Sequence, residues 1–401
     1  MITVDEAKRN LARHAVKLSC KKVPLLEAVN CIIAEEVKAP YAQPRAHNSS
    51  MDGIAVNYSS IESGLRSFQI IGEQRAGHPP LKLKNTEECF QIYTGGLIPQ
   101  GCQCVIPVED IDIKDGKACV KAEISFKKWQ FVRKEGQDYK EGDILIHVGE
   151  RITPLKVSLL AALGVAEVNV VSSPRIAVIS TGDELVEIDQ PCEQHQVRLS
   201  NAYTILAILK QFSFSSVNRF HVKDDKTEIV RLLNNTISRH DLIITIGGVS
   251  MGKFDFIPDV LKESGFETVF HKIKERPGKP LLFANSPTGK SFFGLPGNPV
   301  SSQLCTYHYI VPFLQRSAGQ KPLLPEYAVL KENYIKEAPL TYFLPVKIVS
   351  DKGTVRAAFV KYSGSGDYLA MAKSDGYVEL SIERQEFKKD DVVPFYRWGV
   401  N

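Results

Sequence analysis

Apolar positions change their spacing several times along the chain, and each change marks a different kind of element. At the start, Thr3-Val4-Asp5-Glu6 has the hydroxyl-x-x-carboxylate form of a capping box, and Val4, Ala7, Leu11 and Leu18 follow at helical spacing. The chain is expected to open with a helix. Between about residues 41 and 141 the pattern becomes short β-type runs, at 68–71, 89–93, 104–108 and 118–124, separated by Gly, Pro and charged turns. That stretch predicts an all-β insertion. From residue 175, apolar runs at 176–179, 217–222, 242–246 and 292–295 alternate with amphipathic segments at 202–212, 227–239, 257–264 and 300–315. Alternation of this kind predicts right-handed βαβ units and a doubly wound parallel sheet. Lys321-Pro322 and Pro325 mark a boundary, and β-type runs at 346–349, 354–360, 377–381 and 392–396 predict a small C-terminal β domain. The fold class expected is α/β plus all-β.

Composition narrows the function. With 401 residues, 43% of them apolar and 24% charged, the chain has material for two to four cores at roughly 100 to 200 residues each. Fifty Lys and Arg against 46 Asp and Glu leave a net charge of +4, too balanced for a nucleic-acid partner held by many phosphates. No apolar stretch approaches the ~20 residues of a membrane span, and the start lacks the order of a signal peptide, so a cytoplasmic protein is expected. Eight scattered cysteines without a CxxC are expected to be reduced thiols. Nine histidines form no HxH, HxxxH or HExxH pattern, which argues against zinc.

Ligands of an open parallel sheet bind beyond the carboxyl ends of its strands. Here those ends carry Ser180-Thr181-Gly182-Asp183-Glu184, Lys223-Asp224-Asp225 and Gly247-Gly248-Val249-Ser250-Met251-Gly252-Lys253-Phe254-Asp255. Asp183, Asp225 and Asp255 are also where helix caps belong. Three acidic strand ends in succession, however, repel unless a cation separates them, and hard oxygen donors suit Mg²⁺ completed by phosphate and water. A magnesium site is expected. Opposite in sign is Lys272-Ile273-Lys274-Glu275-Arg276-Pro277-Gly278-Lys279-Pro280, which is either a solvated edge or an anion site. Leu295-Pro296-Gly297-Asn298-Pro299 precedes a helix whose start carries Ser301 and Ser302, an arrangement suited to an anion. Together these features suggest a phosphorylated, metal-bound ligand. Thr288-Gly289-Lys290-Ser291 is read as a turn, since it lacks the first glycine and the following helix of a P-loop.

Seven motifs in register resemble one family. They are Ser50-Met51-Asp52-Gly53-Ile54-Ala55-Val56, Thr94-Gly95-Gly96-Leu97-Ile98-Pro99, Gly136-Gln137-Asp138, Ser180-Thr181-Gly182-Asp183-Glu184-Leu185, Gly247-Gly248-Val249-Ser250, Pro277-Gly278-Lys279-Pro280 and Leu295-Pro296-Gly297-Asn298-Pro299. Their order is similar to that in the molybdopterin molybdenumtransferase family, which includes the MoeA proteins and the E domain of gephyrin. The resemblance implies four domains: residues 1–15 with 168–318, a molybdopterin-binding-type α/β domain; 16–40 with 142–167, a linking domain; 41–141, the β insertion; and 319–401, a C-terminal β domain. It implies a homodimer whose active sites are shared, the Asp52 and Thr94 loops reaching toward the partner subunit. Adenylylated molybdopterin and molybdate would be the substrates, AMP and molybdenum cofactor the products, and a molybdopterin adenylyltransferase the pathway partner. Glu184, Asp224 and Asp255 would hold Mg²⁺. Lys272, Arg276 and Lys279 would bind phosphate and molybdate, with Ser365 near the oxyanion. Asp52, Thr94 and Asp138 join the catalytic set, and Gly248, Ser250, Pro296, Asn298 and Pro299 the substrate-binding set.

Several of these residues also have plain structural readings: Asp52 bracing a turn, Thr94 as a turn hydroxyl, Asp138 fixing the Gly136 loop, Asn298 holding its own turn, Cys305 as core. Two departures from the family stand out. Gln137 replaces a usual acidic residue, and Leu340-Thr341-Tyr342-Phe343-Leu344-Pro345-Val346-Lys347 lacks the arginines that commonly flank the phenylalanine, leaving Lys347 as an imperfect substitute. A nucleotidyl transferase or pyrophosphatase of the same fold, or a non-catalytic pterin-binding scaffold, would share many of these motifs.

Overall fold

The computed structural model describes residues 1–121, 124–248, 257–321, 324–364 and 366–399, and the chain divides into two compact units, 1–35 with 148–401 and 36–147. In the first unit six strands form one sheet: β1 (Ile176–Thr181), β2 (Val217–Val222), β3 (Leu242–Ile246), β4 (Glu267–His271), β5 (Leu282–Asn285) and β6 (Ser291–Leu295), in the order β2-β1-β3-β6-β5-β4. β2, β1, β3 and β6 are parallel, as expected from the alternating pattern. β5 returns antiparallel to β6 across the turn at Thr288-Gly289-Lys290, and β4 is antiparallel to β5. The sheet is therefore mixed, and β4 again runs in the direction of β6.

Side chains along the strands alternate between two cores, because successive residues of a strand point to opposite faces. Ile176, Val178, Ile244, Phe283 and Phe293 pack on one side with Val4, Ala7, Leu11, Ala202, Ile205 and Leu314. Ile179, Ile243, Leu282 and Phe292 pack on the other with Ile229, Leu233, Val260 and Leu261. The opening helix Val4–Ala12 carries the capping box that its sequence announces, with Thr3 and Glu6 bonding each other's backbone N–H. The helix expected at 300–315 is three pieces: Pro299–Cys305, a π-helical turn Thr306–Ile310, and Val311–Ser317.

After residue 324, Thr341–Asp351, Thr354–Phe359, Glu326–Leu330, Val392–Arg397 and Gly376–Leu380 pair in that order, and the last also pairs with the first. The C-terminal region is thus a closed five-stranded barrel around Leu330, Leu344, Val346, Ala357, Val378 and Phe395. Glu275–Arg276 adds to it as a parallel strand beside Thr341 and Tyr342. Two segments, Cys20–Pro24 and Glu167–Val171, form a separate antiparallel ribbon.

The second unit, 36–147, is built on a six-stranded sheet ordered Cys104–Pro107, Gly53–Val56, Glu88–Ile92, Ser67–Gln74, Lys117–Val120, Ile111–Lys114, with a short α-helix at Tyr58–Glu62 and a 3-10 turn at Val108–Asp110. All eight cysteines are free thiols. Among the described residues no helix is long and apolar enough to cross a membrane.

Candidate functional site

In the first unit the carboxyl ends of β1, β2, β3, β6 and β4 all face one rim. Three acidic residues meet there. The Asp224 backbone N–H donates to Asp183 Oδ1 at 3.3 Å, and burial, then the Asp183 carboxylate, then Glu184, push the Asp224 carboxyl above its ordinary range. Gly182, between β1 and these carboxylates, has φ +148°, and a Cβ on it would sit 2.5 Å from Glu184 Oε2. Only glycine allows the Glu184 side chain to fold back over the strand end. His221, which the sequence reading did not single out, donates from Nε2 to the Gly182 carbonyl at 3.1 Å and partly offsets the charge on Asp224.

None of Asp183, Glu184 and Asp224 has an ion-pair partner among the described residues, and the repulsion of Asp183 and Glu184 on Asp224 is only partly offset by His221. That donor chemistry fits a hard divalent ion. Among the described residues no group of three or more His, Cys, Asp or Glu side chains is arranged as a ready cage. Mg²⁺ does not need one, since it usually takes one or two carboxylates and completes its shell with phosphate and water. Asp255 and Ser250 lie outside the described residues. Asp225 is a helix cap: its Oδ1 accepts from the Glu228 N–H at 2.9 Å.

Gly247 and Gly248 end β3 with φ +89° and +68°, and the Gly247 N–H is tied to the Leu295 carbonyl at 3.0 Å. After β6, Pro296 is buried and Asn298 exposed; Pro299 starts the helix and Asn298 makes no side-chain cap bond. The turn is instead clamped by Asn201, whose Nδ2 donates to the Gly297 carbonyl at 2.7 Å. The helix-start hydroxyls are turned inward: Ser301 and Ser302 are buried, and Ser302 Oγ donates to the Pro299 carbonyl. The anion site expected from those two hydroxyls is therefore not formed by them.

The basic stretch leaves β4 at the same rim through Lys272, whose φ is +71°, and burial then alternates along it. Ile273 and Glu275 are fully buried, while Lys272 and Lys274 are half-buried and Arg276 and Lys279 exposed, so all four cations lie on the outer side. Backbone bonds of Lys272 and Lys274 to Ile2 hold it in place, and the Ile273 N–H donates to the Lys279 carbonyl at 2.8 Å. Gly278 packs against Glu275 and Cys305, where a Cβ would meet Glu275 Oε1 at 2.4 Å and Sγ at 3.0 Å. Cys305 is core, as expected. Asp224 and Lys279 thus share a rim but belong to opposite edges of the sheet, five strand spacings of about 4.8 Å apart, roughly 24 Å.

Arg276 is not a free cation. Its Nη1 donates to Glu337 at 2.7 Å and to the Tyr342 hydroxyl at 3.3 Å, and the Glu337 and Tyr342 bonds raise its already high pKa. It lines a cavity of about 370 Å³ with Tyr342, Tyr362, Lys361, Ser363 and Gly364 of the barrel side. Ser365, the neighbour of Gly364, lies outside the described residues, and the Ser363 N–H and hydroxyl both bond Asp367. Lys347 does not substitute for the family's arginines here: its Nζ is paired with Asp375 at 2.8 Å and does not line this cavity. The cations of the cavity are Arg276 and Lys361.

The second unit gathers its own cluster. Asp52 Oδ1 accepts from both the Thr94 backbone N–H, at 2.7 Å, and the Thr94 hydroxyl, at 2.8 Å, and these bonds hold the Asp52 carboxyl below its usual range. Gly53, the next residue, lies tight against the neighbouring strand, where a Cβ would sit 1.9 Å from the Ile106 carbonyl oxygen. Asp138 is ion-paired with Arg133 at 2.5 Å, and Arg133 lies opposite Asn48 in the ribbon just ahead of Asp52. His47 accepts the Glu135 N–H at Nδ1, 2.8 Å, and packs edge-on to Trp129. Sequence reasoning missed both: His47 meets Glu135 across eighty-eight positions, and nothing in the run from Arg133 to Asp138 marks its two ends as a pair.

The model of the MoeA N-terminal region (domain I and II) matches residues 2–164, that of a probable molybdopterin binding domain 177–316, and that of the MoeA C-terminal region (domain IV) 327–398. A molybdopterin molybdenumtransferase of Synechocystis sp. is 34% identical over 400 residues, covering 99% of this chain and all of that protein. One from Haemophilus influenzae is 31% identical over 398 residues, covering 98% of each. The crystal structure of a molybdopterin biosynthesis MoeA protein from Pyrococcus horikosii superposes over the whole of both chains with TM-score 0.83 at 26% identity. Full-length relatives above 30% identity and three models in order along one chain establish that it belongs to the molybdopterin molybdenumtransferase family and is an enzyme of molybdenum cofactor biosynthesis.

Proposed function

We propose that the protein inserts molybdate into adenylylated molybdopterin with Mg²⁺-dependent release of AMP. The observation that carries this reading is the rim on which carboxylates without an ion-pair partner among the described residues and a row of outward cations both stand. A nucleotide-tagged dithiolene and a molybdate dianion bring several negative charges together, and at 4 Å with an effective dielectric near 20 each unit-charge pair repels by about 4 kcal/mol. Lys272 and Lys279 would offset that charge, with Gly248, Pro296, Asn298 and Pro299 shaping the rim against the ligand. Arg276 and Lys361 would serve the oxyanion in the barrel cavity, with Ser365 beside it. Asp224 and Glu184, joined by Asp255, would hold Mg²⁺, which when bound supplies charge stabilisation at the phosphoanhydride. The chain's contribution is then positioning of two reactants and preset cations, and no covalent enzyme intermediate is expected.

The Asp52, Thr94 and Asp138 cluster belongs to the same proposal, as a contribution to the active site of a partner subunit in a homodimer. The protein would work in the cytoplasm, downstream of a molybdopterin adenylyltransferase. The test is incubation of the purified protein with adenylylated molybdopterin, Mg²⁺ and molybdate. AMP release that depends on molybdate supports the proposal; release at the same rate without molybdate would instead support a nucleotide pyrophosphatase. The Asp224→Asn protein should lose AMP release while keeping its fold.

A further inference from the structure

A second cavity, of about 500 Å³, opens where the helix Val311–Ser317 meets the C-terminal barrel. It shares no lining residue with the cavity at Arg276. Its walls are aromatic, with Phe212, Tyr307, Tyr377 and Tyr396 among them, and the last two rings stack at 5.0 Å. Two buried polar groups line it without a full set of partners. Gln315 is 5% exposed, and its amide makes no hydrogen bond to any described residue. His308 is equally buried; its Nδ1 contacts the Tyr377 hydroxyl at 2.9 Å, while Nε2 has no partner. Three cations also line the cavity. Lys8 is held by Glu379 and Arg397 by Glu326, but Arg316 has no ion pair among the described residues.

A buried polar atom without a partner, as His308 Nε2 is, costs about 1–3 kcal/mol, and the Gln315 amide is left to bond whatever enters the cavity. A mostly apolar concavity of several hundred Å³ with a few convergent polar groups is the usual form of a small-molecule site. We propose that this cavity binds a planar aromatic carboxylate. Its ring packs on the tyrosine faces, its edge bonds the Gln315 amide, and its carboxylate pairs with Arg316. The Gln315 amide and the Arg316 guanidinium are both uncommitted among the described residues, and neither belongs to the proposed catalytic residues.

The test uses 2-naphthoate and the fluorescence of Trp398, whose ring packs 4.9 Å from Tyr307 and 4.7 Å from Tyr377 at the edge of the cavity. The chain has two tryptophans, so the full-length Trp129→Phe protein reports from Trp398 alone. Naphthoate should quench it saturably. The neutral 2-naphthamide, and naphthoate with the Arg316→Gln protein, should each bind about tenfold more weakly, the loss of one charge-assisted hydrogen bond. No saturable change at millimolar naphthoate, equal affinity for the amide, or unchanged affinity in Arg316→Gln overturns the proposal. The measurement involves no molybdopterin, so its outcome is independent of the reaction proposed above.

Discussion

Replacing Glu275 by glutamine should flatten the dependence of stability on pH. Glu275 is fully buried, its Oε2 accepts the Tyr309 hydroxyl, and its Oε1 lies 4.0 Å from Cys305 Sγ. Burial outweighs the Tyr309 bond and pushes its pKa up to about 8 from 4.5. The folded protein therefore holds a proton that the unfolded chain has released across that window. Stability from this group is fully present below the unfolded pKa and is lost as pH rises through the folded one. One proton is worth about 1.4 kcal/mol per pH unit, so between pH 5 and 8 the native state loses on the order of 4 kcal/mol. His308, buried and held below its usual pKa, contributes in the opposite sense as pH falls, but equally in both proteins. The assay is urea unfolding of wild type and Glu275→Gln at intervals from pH 5 to 8. The gap between their stabilities should shift by several kcal/mol in favour of the variant as pH rises. Parallel curves would show that Glu275 is ionised in the folded protein, against the upward shift of its pKa.

Gly53→Ala should destabilise the second unit by on the order of 3 kcal/mol, because the added Cβ has the Ile106 carbonyl oxygen 1.9 Å away; soluble yield and thermal melting measure it. Asp52→Ala frees Thr94 at an exposed position, so AMP release should fall about a hundredfold while the melting temperature hardly moves. Arg276→Ala should raise the KM for molybdate about tenfold in the same AMP assay, and an unchanged KM would remove the barrel cavity from the oxyanion site.

Strong local patterns made much of the fold legible. The strands at 176, 217, 242 and 292 alternate with amphipathic helices, and the Thr3 box specifies its helix within four residues. β4 and β5 escaped notice because each is four or five residues long and flanks a charged loop, so only pairing of β5 with β6, and of β4 with β5, makes them strands. Barrel closure, made by Gly376–Leu380 returning to Thr341–Asp351, leaves no local trace at all. For the site, residue types were readable and partners were not. Asp52 meets Thr94 across forty-two positions, and Arg276 is matched by Glu337. Glu275 read as one more charge in a basic run, yet its burial is decided by Tyr309, thirty-four residues on. Asp225 behaved as an ordinary cap, the reading that its position favours in any βα unit.

One ligand must reach from the carboxylates after β1 and β2 to the cations after β4. A crystal soaked with AMP, Mg²⁺ and molybdate shows whether it does. A metal is expected at about 2.1 Å from an Asp224 oxygen, with bound phosphate or molybdate in hydrogen-bond reach of Lys279 Nζ. A metal and anions bound with Asp224 or Lys279 left in solvent would rule the shared site out.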